Sequence, residues 1–91
     1  MSDIAEVVLE SNCGIAQAES LRVQLEELFQ NRYQIVIDGS AVKRIDTAAL
    51  QLLGAFFTAM SHAETDVTWT APSELLSQSA NTLGLKEILK L

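Results

Sequence analysis

Tyr33-Gln34-Ile35-Val36-Ile37-Asp38-Gly39-Ser40 and, after a short connection, Ile45-Asp46-Thr47-Ala48-Ala49-Leu50-Gln51-Leu52-Leu53 decide the fold. Ile35, Val36 and Ile37 form a continuous run of β-branched apolar residues. Such a run predicts a strand over 33–38, buried on both faces as in a sheet covered by helices. Asp38-Gly39-Ser40 is turn chemistry and ends it. Beyond the connection Ala41–Ile45, Leu50, Leu53, Phe57 and Met60 recur at helical spacing, and Ala49, Leu52 and Phe56 widen the stripe. A helix over 47–61 follows, apolar over more than half its circumference and therefore the most buried one. Asp46 or Thr47 stands where its N-cap belongs.

Outward from this centre the elements alternate. Residues 4–10 hold Val7-Val8-Leu9 and read as a strand, and Ser11-Asn12-Cys13-Gly14 reads as a turn. A helix over 17–30 follows from Ala18, Leu21, Leu25, Leu28 and Phe29, with Arg22 and Glu26 as an i, i+4 pair on its wet side. On the other flank, Asp66–Thr70 alternates as a strand. Pro72 marks the start of a helix over 73–83 lined by Leu75, Leu76, Ala80 and Leu83, and Gly84 is its C′ residue. Leu85–Leu91 is a short apolar closing segment. Strand, helix, strand, helix, strand, helix implies an α/β domain with a parallel or mixed sheet and helical crossovers. An extra hairpin strand near Cys13–Ala16 is compatible with this order but not required by it.

Composition narrows the function classes. The chain has 91 residues, 48% of them hydrophobic, which suits one domain over 1–91. Six Lys+Arg against 12 Asp+Glu give a net charge of -6, the wrong sign for nucleic acid or an anionic membrane surface. Cys13 is the single cysteine, so no disulfide framework is expected. The acidic N-terminus is unlike a secretory signal, and no apolar run approaches a membrane span, so a cytoplasmic location is expected. The glycines at 14, 39, 54 and 84 lie apart and form no phosphate-binding loop; no cofactor is expected. His62 is the single histidine, at the C-terminal end of helix 47–61, where it interacts with the helix dipole. With Cys13 the one thiol, neither a metal site nor an enzyme active site is expected.

Asp46-Thr47 has two readings. One of the pair caps the helix. Alternatively Thr47 is a phosphorylation site, because a phosphate there would meet the positive end of the helix dipole and free N–H groups.

The pattern strand-Asp-x-Ser, then Ile-Asp-Thr-x-x-Leu-x-x-Leu, resembles the STAS domain, shared by sulfate transporters and anti-sigma factor antagonists. Ile35–Ser40, Val42 and Ile45–Leu53 carry the resemblance, and Leu83-Gly84-Leu85 with Ile88 and Leu91 extends it. It implies a mixed sheet of four to five strands, with three to four helices mainly on one face. It also implies a regulatory binding protein, monomeric or weakly dimeric. In anti-sigma antagonists the hydroxyl after the Asp is phosphorylated by a serine/threonine kinase that is also the anti-sigma factor. Thr47 stands at that position, and the implied docking surface gathers Ser40, Lys43, Arg44, Asp46 and Thr47. Two departures are visible. Thr47-Ala48-Ala49 lacks the second hydroxyl or the glycines of phosphorylated members, and the Gly-x-Leu-Asp motif before the first helix is reduced to Cys13-Gly14-Ile15-Ala16. A threonine here is also similar to small STAS proteins that bind the ATPase subunit of phospholipid-transport ABC complexes. A chemotaxis or two-component interaction module is a third use of the same surface.

Overall fold

The computed structural model describes residues 4–31 and 33–91. In chain order the elements are β1 (Ile4–Val8), β2 (Asn12–Cys13), α1 (Ile15–Gln30), β3 (Gln34–Asp38), β4 (Arg44–Ile45), α2 (Thr47–His62), β5 (Val67–Trp69) and α3 (Glu74–Thr82). The five strands and three helices give the expected α/β, STAS-like architecture. The strands form a three-stranded sheet ordered β1-β3-β5 and a separate pair β2-β4. Every described pairing is parallel, rather than the mixed arrangement expected. Parallel neighbours need long crossovers, and the helices supply them.

Register explains the sheet's two faces. Val7 pairs with Ile37, Ile35 with Val67, and Ile37 with Trp69, so these side chains share one face. Val7, Ile35, Ile37 and Val67 are all buried there. The opposite face carries Ile4, Glu6, Val8 and Thr68, all exposed, with Val36 half-buried between them. The helices therefore cover a single face. This corrects the expectation that strand 33–38 is buried on both sides: three apolar residues in a row do not report coverage, and Val36 lies against a sparsely covered surface.

Helix α2 supplies the centre of the core. Ala49, Leu50, Leu53, Gly54, Phe56, Phe57 and Met60 are buried, and Leu53 and Met60 have no exposed surface. On α1 only Leu25 is fully buried; Ala18, Leu21, Leu28 and Phe29 pack partly exposed against the same cluster. Helix α1 begins at Ile15 rather than at 17, because Gly14 forms the N-cap and its N–H donates to Gln17 Oε1 at 3.2 Å. On α3 Leu76 and Ala80 are buried, whereas Leu75 and Leu83 stay exposed, so the expected stripe is half as wide. The Ser73 hydroxyl caps this helix by accepting the Leu76 N–H at 3.2 Å. At its other end Gly84 adopts φ +73°, and the Leu85 N–H returns to Ala80 O at 2.8 Å. This is the C-terminal turn that a C′ glycine makes.

Trp69 and the burial of Leu89 tie down the far end of the closing segment. Trp69 Nε1 donates to Leu89 O at 2.8 Å, while its ring stacks on Phe57 with centroids 5.7 Å apart. Leu89 is fully buried and Ile88 is exposed. Gly39 makes room for this arrangement: a Cβ there would lie 2.8 Å from Leu76 Cδ2 and 3.1 Å from Trp69 Cζ3. Neither neighbour is free to retreat, since Leu76 is buried and Trp69 is stacked and hydrogen-bonded.

Stability measurements on three variants check this packing. Leu53→Ala should cost about 2–5 kcal/mol in a denaturant melt, and Lys43→Ala, on an exposed connection, within about 0.5 kcal/mol. Equal midpoints would contradict the burial described. Gly39→Ala should cost about 1–3 kcal/mol by overpacking although it only adds a methyl group. An unchanged midpoint would show that Leu76 and Trp69 yield more easily than their contacts imply.

Candidate functional site

The expected site residues gather at the carboxyl ends of β1 and β3, where ligands of parallel sheets bind. Three backbone devices build the surface. Asp38 ends β3 and folds back on itself: its Oδ1 accepts the Ser40 N–H at 2.9 Å. The following chain then turns under Ser11, whose carbonyl accepts the N–H groups of Lys43 (2.8 Å) and Arg44 (3.0 Å). Finally β2 and β4 run side by side, Asn12 opposite Arg44 and Cys13 opposite Ile45, and the Asp46 N–H donates to Cys13 O at 3.0 Å. The turn 11–14 is thereby fixed beside the start of α2.

Ser40, Lys43, Arg44 and Thr47 are exposed, and Asp46 is half-buried among them. Their chain positions bring all five to one end of the domain. The structure adds Asn12 and Gly14: the position of a Gly14 Cβ lies 3.7 Å from both Asn12 Oδ1 and Asp46 Oδ2. Sequence reasoning did not place them in the site, because a two-residue parallel bridge has no periodicity to detect. It places a possible hairpin strand near Cys13–Ala16; the extended residues are Asn12–Cys13, and their partner is β4.

The capping expectation needs correction. Asp46 occupies the N-cap with extended backbone (φ -83°, ψ 155°), yet its side chain makes no capping hydrogen bond. Its backbone is committed instead, the N–H to Cys13 and the carbonyl to the Leu50 N–H at 3.1 Å. Thr47 is the first helical residue, and its hydroxyl makes no hydrogen bond among the described residues. The positive end of α2 is thus left without a side-chain cap, with an exposed hydroxyl on it and two basic side chains just upstream in the chain.

Electrostatics around the site are mild. The Ser40 N–H, and then the Ser40 hydroxyl, hold the Asp38 carboxyl below its usual range. Cys13 is buried, and its thiol donates to Glu10 O at 3.2 Å. Burial first, and the Glu10 charge second, push that thiol up, so it is protonated and a poor nucleophile at neutral pH. His62 sits exposed in the last turn of α2, at the dipole's negative end. Among the described residues no group of three metal-ligand side chains converges, and no helix is long and apolar enough to cross a membrane.

Thr47→Ala should leave the midpoint within about 0.5 kcal/mol, because no cap is lost, whereas Ser73→Ala should cost about 1 kcal/mol. A clear loss from Thr47→Ala would mean that its hydroxyl holds the helix after all. Asp38 has a lowered folded pKa, so its contribution is present above the ordinary carboxyl value of 3.8 and is lost as pH falls through the folded value. Asp38→Asn should therefore flatten the acid limb of stability against pH below that value and leave its shape near neutrality unchanged.

No curated protein matches the chain. The family model described as "Mlab, STAS domain" matches residues 2–90. That span includes the turn around Asp46-Thr47, the sheet and all three helices, and the chain belongs to this family of STAS domains, which serve as protein-interaction modules.

Proposed function

We propose that this STAS domain is a regulatory binding module and not an enzyme. It docks a protein partner around Thr47 with Ser40, Lys43, Arg44 and Asp46, and phosphorylation of Thr47 releases that partner. The partner in this reading is an anti-sigma factor that is also a serine/threonine kinase. One observation carries it: the Thr47 hydroxyl stands exposed at the first position of α2, uncommitted to any cap. A kinase needs such a hydroxyl within reach. The phosphate would be accepted locally by the uncapped helix terminus while adding nearly two negative charges to the contact. The resident Lys43 and Arg44 suit an acidic rim on the partner, which the new charge would repel.

A second reading is favoured by Ala48 and Ala49, which supply no second hydroxyl. In it the same surface holds the ATPase subunit of a phospholipid-transport ABC complex permanently. A chemotaxis or two-component partner would use that surface as well.

The deciding experiment is incubation with the copurified partner and ATP, followed by phosphate mapping by mass spectrometry. Phosphate on Thr47 that releases the partner is the expected result. Thr47→Ala should then bind constitutively, and Thr47→Glu should bind more weakly. A stable complex without phosphate, while the partner hydrolyses ATP, would replace switching by the transporter reading.

A further inference from the structure

A cleft of about 310 Å3 opens beside the site, between the end of β1, the first turns of α1 and the first turn of α2. Leu21, Ala16 and Ala18 offer it apolar surface, with the buried Leu9 and Ala49 beneath. Glu10, Ser20 and Gln24 bring polar groups to it. The cleft exists because Ala16 and Ser20, one helical turn apart on α1, are small; larger side chains there would fill it. The remaining amide, Gln17, is already occupied through its Oε1 by the Gly14 N–H.

Its charge is one-sided. Among the described residues Glu10 is the single ionic side chain on the lining, and it enters no ion pair with any of them. No described lysine or arginine lines the cleft. The Glu10 charge is felt inside the cleft, at the neighbouring Cys13 thiol, which donates to the Glu10 carbonyl at 3.2 Å. An anion would be repelled here, and a purely apolar group would desolvate the polar side without pairing it. A flexible apolar stem ending in a cation meets both requirements, as lysine and arginine side chains do when their stems lie on apolar surface.

We propose that this cleft receives an arginine or lysine side chain of the protein partner, with its stem on Leu21 and Ala16 and its charged head on the Glu10 carboxylate. The inference rests on the partner-binding reading, and the cleft is placed to serve it. Ala49 lies two residues beyond Thr47, and Gly14, at the foot of α1, adjoins Asp46. A partner seated on Thr47 would thus be anchored by a second contact that carries specificity. The net charge of -6 favours the approach of such a basic group.

The test separates the cleft from the docking reading. An amide-resolved NMR titration with n-butylguanidinium should shift Glu10, Cys13, Ser20 and Gln24 saturably, and n-butanol, which has the same stem, should bind more weakly. Glu10→Gln should weaken the guanidinium about tenfold or more, and Ser20→Leu, which fills the cleft from the exposed side of α1, should abolish its binding while the spectrum stays native. Capture of the copurified partner should fall in both variants, with Thr47 phosphorylation of any captured complex unchanged in position. Absence of guanidinium shifts at these amides, or equal binding of n-butanol, would overturn the proposal whatever happens at Thr47. Guanidinium binding with partner capture unaffected by Glu10→Gln would also overturn it, by making the cleft a site for a free small cation. Loss of Thr47 phosphorylation in the wild-type protein, with the cleft results intact, would remove the switch and not the anchor.

Discussion

Helix α2 is seated on the sheet with no charged residue between Asp46 and His62, and the rest of the fold is arranged around that burial. An apolar helix gains most of its stability from packing rather than from its own propensity. Its ends must still satisfy their polar groups, and both are held by backbone. At the start, Asp46 is locked to Cys13 and Leu50; at the end, the Thr65 N–H returns to Met60 O at 3.0 Å and the Glu64 N–H to Ser61 O at 3.1 Å. Glu64 takes a left-handed conformation, φ 56°, to close that turn. The Asp46 side chain is released from capping, and the Thr47 hydroxyl is left exposed at the helix start.

Coverage of one sheet face has a further consequence. With the helices on the side of Val7, Ile35, Ile37 and Val67, the chain enters and leaves the sheet at strand ends, and the loops after β1 and β3 meet. The β2–β4 pair is the product of that meeting. It joins two loops into a short paired platform beside the α2 terminus, with Cys13 also lining the cleft against α1. The Thr47 surface and the cleft are thus built by the same crossing of loops. A partner touching both would read two separate chemistries: a hydroxyl at a positive helix end, and a carboxylate above an apolar wall.

Much of this was legible in the sequence. The strand at 34–38, the helix from Thr47, the strand around Val67–Trp69 and the C′ role of Gly84 follow from local period and turn chemistry, since each signal lies within one element. The Asp46-Thr47 turn was legible as a pattern, and with it the positions of Ser40, Lys43 and Arg44. The capping of α1 by Gly14 and Gln17 was not, because it depends on a glycine N–H that any turn could leave free. The exposure of Leu75 and Leu83 was equally hidden, since both match the helical stripe that Leu76 and Ala80 occupy.

The sequence by itself determined which segments are strands and helices, which helix is the most apolar, and where a hydroxyl meets a helix start. These are properties of neighbours along the chain, fixed by side-chain periodicity and backbone preference. Only the tertiary structure decided that the sheet is covered on one face, that Asn12–Cys13 pairs with Arg44–Ile45, and that Asp46 spends its backbone rather than its carboxylate on the turn. The need for glycine at position 39, set by Trp69 and Leu76, 30 and 37 residues further along the chain, belongs to the same class. Each of these depends on groups distant in sequence competing for one space or one hydrogen bond, and that competition leaves no local trace in the order of residues.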